Sequence, residues 1–146
     1  MNKFLAYKMK VSLEWDRRGV NRTIRLTGDN TLDDLSEFIN YSIDFDNDHL
    51  YSFSLNRKKL YDSDSYQPDI IEPMFDETHH SSNIPIQNVI TKEKQKLYYL
   101  FDFGDSWHFD ILVQKIEEVD EHIDGEILKS VGEIEQYPEW DDEEDY

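Results

Sequence analysis

The chain has 146 residues, the length of one ordinary domain, and its 33 acids against 15 Lys and Arg give a formal net charge of −18. It has no cysteine, which excludes a disulfide framework and a thiolate metal site and fits a reducing cytoplasm. A field of that sign repels phosphate backbones and argues against direct nucleic-acid binding; no apolar run approaches the roughly 20 residues of a membrane span, and Met1 to Leu5 is too short and polar for a signal peptide.

Charge is unevenly spread. Residues 1–27 carry seven Lys and Arg against two acids, whereas residues 116–146 carry fourteen acids against Lys129 alone. Apolar residues alternate over 4–15, with Leu5, Tyr7, Met9, Val11, Leu13 and Trp15 on one face, which is the period of a half-buried strand. "DRRG" at 16–19 is a turn and "VNRTIRL" at 20–26 a second strand, so the chain opens with an antiparallel hairpin. Thr31 is a good N-cap, and Leu32, Leu35, Phe38, Ile39 and Ile43 recur at helical spacing, which predicts a helix over 32–43 packed on the hairpin.

"HLYSFSL" at 49–55 reads as a third strand, with "KKLYD" at 58–62 as a short return. Residues 62–83 form a long acidic loop without a period, and 84–90 a short turn or one helical turn. "KLYYLFDF" and "SWHFDILVQKIEEV" are two more strands. Gly104-Asp105 between them signals a two-residue hairpin in which glycine supplies the positive φ. Past Glu121 the pattern weakens to a short helix around Ile127 to Val131, and the terminal charge run reads as disordered. The expected layout is a single α+β domain over 1–121 with the loop at 62–83, then an acidic, partly flexible segment over 122–146. Its sheet is antiparallel or mixed and roll-like, with an N-terminal hairpin, a helix and a C-terminal aromatic hairpin.

Several stretches imitate chemical motifs. Asp102-Phe103-Gly104 spells the magnesium triplet of protein kinases, but no glycine-rich loop, strand lysine or His-Arg-Asp loop accompanies it. Asp44, Asp46 and Asp48 begin like a calcium loop, yet His49 and Leu55 stand where its glycine and glutamate belong. His79 and His80 lack the spacing of a zinc site, and Ser106 lies in a turn, not a nucleophile elbow. His49 and His108 near Asp102 and Asp105 are the one set with acid–base potential; the weightier reading is a histidine that ties a loop to the sheet. The hairpin cations Lys8, Lys10, Arg17, Arg18, Arg22 and Arg25 could in isolation grip phosphates, but the acidic tail, or an acidic neighbour, is expected to screen them.

"RTIRLTGDNTLDDL" at 22–35, "DNDHLYSF" at 46–53 and "YLFDFGDSWHFDILVQKI" at 99–116 occur in an order that resembles the plasmid Ri ORF-three-like family, insertion-element passenger proteins of unassigned function. The resemblance covers residues 4–117, and its most specific piece is Asp102 to Asp105 with Trp107. It implies an α+β roll-like fold and a link to plasmids or mobile elements. Where the family has a histidine, a glutamate and a tryptophan, this chain has Phe109, Gln114 and Asn21, which weakens any catalytic pair. The expectation is a non-catalytic binding or interaction module for an unknown protein partner, without cofactor or metal, whose motif is Asp102, Gly104, Asp105, Trp107, His108 and His49. The alternative is a metal-dependent or acid–base enzyme around the 102–108 turn.

Overall fold

The structure is a computed structural model and describes residues 3–56, 65–69 and 80–136. Among these residues it is an α+β fold: one mixed sheet of eight strands and two helices. In chain order the elements are β1 (Phe4–Leu13), β2 (Asn21–Thr27), α1 (Leu32–Ser42), β3 (Tyr51–Ser54), β4 (Tyr66–Gln67), β5 (His80–Ser81), α2 (Ile86–Val89), β6 (Lys96–Phe101), β7 (Trp107–Val119) and β8 (Glu126–Val131). The strand order is β5-β4-β3-β6-β7-β1-β2-β8, antiparallel throughout except for the parallel β4–β5 pair.

β1 and β7 form the spine. The alternation of β1 places Tyr7, Met9, Val11 and Leu13 on one face, and the pairings Met9 with Val113, Val11 with Ile111 and Leu13 with Phe109 continue that face into β7. Tyr99 and Leu97 on β6 and Phe53 on β3 carry it further. Trp15, expected in the same row, lies beyond the strand and is 65% exposed, its ring tilted over Trp107.

Helix α1 covers this face. Thr31 caps it reciprocally: its hydroxyl accepts from Asp34 N at 3.1 Å, and Asp34 accepts from Thr31 N at 3.0 Å. Leu32, Leu35 and Ile39 are fully buried, each stabilising the fold by about 1.5–3 kcal/mol. Two polar contacts fix the helix over β6, since the buried Tyr99 hydroxyl meets Ser36 Oγ at 2.7 Å and donates to Asn40 Oδ1 at 3.0 Å. Burial raises the Tyr99 phenol above its ordinary pKa, so it stays a neutral donor. Arg22, one of the hairpin cations, points into this layer and donates to the carbonyls of Ser42, Asn21 and Val131. A cation on the last turn of α1 complements the helix dipole.

Two expectations are corrected. The short helix around 127–131 is strand β8, paired antiparallel with β2 from Asn21–Val131 to Arg25–Glu126. The outer edge of β2 needs hydrogen-bond partners, and tertiary pairing overrides the weak local signal. The long loop carries β4 and β5, which extend the sheet beyond β3. The return strand expected at 58–62, His79 and the terminal charge run at 141–146 lie outside the described residues. No helix among the described residues is long and apolar enough to cross a membrane.

Candidate functional site

The 102–106 turn joins β6 to β7, which pair from Lys96–Leu112 to Phe101–Trp107. It is longer than the expected two-residue hairpin, and its left-handed residues are Asp102 (φ 64°) and Ser106 (φ 58°), not Gly104. Asp is among the few non-glycine residues that adopt this region readily, because its short side chain bonds locally. Asp102 Oδ1 accepts from Gly104 N at 3.2 Å and Asp105 N at 3.3 Å, while its own N–H donates to Leu50 and its carbonyl accepts from Ser106. Asp102, 7% exposed, therefore organises the bend, and Asp105 is exposed.

His49 Nε2 lies 3.5 Å from Asp102 Oδ2 and 3.6 Å from Asp48 Oδ1, with its ring edge-on to Phe101. His108 is not part of this group. It pairs with Leu100, whereas Trp107, Phe101 and Phe109 point to the α1 face, so His49 and His108 lie on opposite sides of the sheet. Trp107 packs edge-on to Phe45 at 5.1 Å, and its Nε1 is buried with no hydrogen-bond partner among the described residues. The Asp44–Asp48 loop is tied down by Gln136, whose Oε1 accepts from Asp46 N at 2.6 Å and whose Nε2 donates to Asp48 at 3.1 Å. Among the described residues no group of three or more His, Asp or Glu is placed to hold a metal ion.

The far face of the sheet has a different character. Ser52 and Leu100 are buried there, so the accessible part lies over β6, β7 and β1. Lys96, Leu112, Lys10 and Thr23 stand in register across β6, β7, β1 and β2, with Lys129 next on β8. At about 4.8 Å per strand, Lys96 and Lys10 are about 10 Å apart, and Lys129 lies about 10 Å further on. The β1–β2 turn brings Arg17 and Arg18 to the same place, closing a groove of about 380 Å³ lined also by Tyr98 and Asp110. Arg17 grips Asp110, donating from Nε at 2.8 Å and from Nη2, and so fastens the turn to β7. Lys10, Arg18 and Lys96 make no ion pair among the described residues; four cations against Asp110 leave the groove a local +3 in a chain of −18. Of the other hairpin cations, Arg25 is engaged by Glu117 at 3.3 Å and Glu126 at 3.1 Å.

Sequence reasoning passed over His122. Its Nδ1 lies 2.7 Å from Asp29 and its Nε2 2.5 Å from Asp124. Beside it Asn30 Nδ2 donates to Ile123 O at 2.8 Å and Thr27 Oγ1 accepts from Ile123 N at 3.0 Å. This polar strap holds the β7–β8 connection to the β2–α1 turn. Hydrogen bonding to Asp124 and then Asp29 raises the His122 pKa above its ordinary value. Burial pushes Asp29 up, but bonds from Thr27 and His122 more than offset it and leave that carboxyl lowered.

The fold and these surfaces define an α+β domain with a structural aromatic turn and a cationic groove on its far face. The chain belongs to the plasmid pRiA4b ORF-3-like protein family, whose model matches residues 5–139. No curated protein matches it. Its fold is similar to that of a crystallised protein of unknown function, MM3350 from Methanosarcina mazei Go1, at a TM-score of 0.69 and 21% identity, over 87% of this chain and 69% of that one.

Proposed function

We propose that this protein is a non-catalytic binding module that takes an acidic segment of a partner protein in the groove on the far face of the sheet. The observation that carries the reading is the convergence of Lys10, Arg18 and Lys96 without counter-ions among the described residues. Cations left unpaired in a strongly acidic chain are electrostatically disposed to take carboxylates from outside. Tyr98 and Leu112 give the groove an apolar floor against which a side chain can lie. The net charge of −18 favours a short acidic segment over a nucleic-acid duplex, whose long phosphate array meets the acidic remainder of the molecule. The acid–base alternative at the 102–108 turn is the weaker reading: His49 lies 3.5 Å from Asp102 Oδ2, but Asp102 Oδ1 is occupied by two backbone N–H groups and His108 faces away.

The test is titration of the purified protein with a fluorescent Asp/Glu-rich peptide and, in parallel, with duplex DNA of equal charge. Peptide binding that weakens with salt and with Lys10→Ala and Lys96→Ala supports the proposal. Binding indifferent to those lysines, or a preference for the duplex, overturns it. A plasmid or mobile-element setting, suggested by the family's name, belongs to the same proposal; gene neighbours of that kind are its check.

A further inference from the structure

We infer that β8 is a pairing edge, through which two copies of this chain join their sheets antiparallel about a two-fold axis. Among the described residues β8 ends the sheet, opposite the two-residue β5. Protein edges are commonly blunted by proline, by charges or by extreme shortness. β8 has six residues and no proline, its two charges, Glu126 and Lys129, are of opposite sign, and five of the six residues are exposed.

Among the described residues seven large hydrophobic residues are exposed, and two of them stand on this strand. Ile127 is 41% exposed and Leu128 49%. On α1 Tyr41 is 70% exposed, its ring 5.8 Å from that of Phe38. Phe38 in turn abuts Gly125, where an added Cβ would stand 2.5 Å from its ring. An apolar strip that runs from the end strand of the described sheet to a neighbouring helix suits the same strip on a second copy, which a two-fold axis brings into register with itself.

The charges of β8 are self-complementary. Residues three apart on a regular strand point to opposite faces. Here the bulge between Thr23 and Ile24 pairs Lys129 with Thr23 and Glu126 with Arg25, which lie on one face of β2. Glu126 and Lys129 thus share a face. In the antiparallel register that sets Ile127 against Leu128 of the second copy, Glu126 meets Lys129 twice across the axis. The resulting sheet keeps both cationic grooves on one side, although the pairing does not depend on what they bind.

The experiment is sedimentation of the full chain over the micromolar range, with Leu128→Lys, Glu126→Lys, Lys129→Glu and the double charge exchange Glu126→Lys/Lys129→Glu. The expected result is a dimer for the parent chain, a tenfold or larger rise in dissociation constant for each single variant, and recovery in the double. Circular dichroism confirms folding of each variant, since Glu126 also touches Arg25. Hydrogen exchange of the unaltered chain, concentrated against dilute, is independent of mutation, and β8 amides should gain protection with concentration. A monomer throughout, a double variant no better than the singles, or β8 amides indifferent to concentration overturns the inference.

Discussion

The 102–106 turn and the far-face groove sit at the two ends of one contrast. The turn is the most distinctive stretch of the sequence, and its polar groups satisfy one another: the Asp102 carboxylate serves two backbone N–H groups, and Ser106 donates to Phe103 O. The groove is made of ordinary lysines and arginines, and three of its cations have no ion-pair partner among the described residues. Closed polar circuits stabilise a fold, whereas unmatched charge at a surface is available for binding. Conspicuous letters mark the first here, and inconspicuous ones the second.

The sharpest way to break this contrast is Asp102→Ala. Alanine offers no acceptor for Gly104 N and Asp105 N and must adopt φ near 64°. Unmaking the part-buried bonds and straining the backbone should together cost about 2–3 kcal/mol, read as a lower denaturant midpoint. Asp102→Asn keeps a carbonyl acceptor and tolerates the left-handed region, so it should lose less than half as much. Acidic-peptide affinity should follow neither change. An Asp102→Ala protein that is fully stable but no longer binds would move the function back to the turn.

The mirror experiment is the double variant Lys10→Ala/Lys96→Ala. Stability should shift by no more than about 0.5 kcal/mol, as for surface positions without partners. Acidic-peptide binding should weaken at least tenfold, about 1.4 kcal/mol, with a flatter salt dependence. Unchanged binding would strip the groove of its role while leaving the account of the turn intact.

The His122 strap lies outside both regions and tests whether exposed polar contacts stabilise at all. His122 has a folded pKa raised above 6.5, so its contribution is full below pH 6.5 and fades as pH climbs through the folded value. Asp29 is lowered from 3.8, so its contribution is full above pH 3.8 and fades as pH falls through the folded value. The gap in melting temperature between the parent and His122→Ala should therefore be widest between pH 3.8 and 6.5 and should shrink towards alkaline pH. A gap independent of pH would reduce the strap to packing of the ring against Phe4.

The hairpin, α1 and the β6–β7 pair were legible because each carries a clean period: alternation over residues 4–13, helical spacing from Leu32 to Ile43, and alternation again from Phe109 to Val113. β8 was not, because Ile127 and Leu128 are adjacent and the strand exists only by pairing with β2. The groove was half legible. The hairpin cations were visible, but their fates were not: Arg22 turns inward to backbone carbonyls, Arg25 is held by two glutamates, and Lys96 joins Lys10 only through the register of β6, β7 and β1. Local sequence carries no register between strands that are distant in the chain. The partnership of His122 with Asp29 needed the same missing information.

The smallest expected effect is also the most telling. Glycine beside aspartate between two apolar runs is the usual sign that a bend needs glycine, and the motif reading rested on it. Yet Gly104 has an ordinary negative φ, and a Cβ there would meet only Asp102 Oδ1, at a van der Waals distance of 3.5 Å. Alanine also reduces the freedom of the unfolded chain, which favours folding by a few tenths of a kcal/mol up to about 1 where the native backbone suits it. Gly104→Ala should therefore leave the denaturant midpoint unchanged or slightly raised, with acidic-peptide binding unaltered. Gly132→Ala is its foil: that residue has φ 74°, and a Cβ would stand 1.7 Å from the Gly19 carbonyl oxygen, a backbone atom with no room to yield. If Gly104→Ala proves as damaging as Gly132→Ala, the bend belongs to the glycine after all, and Asp102 loses the role assigned to it here.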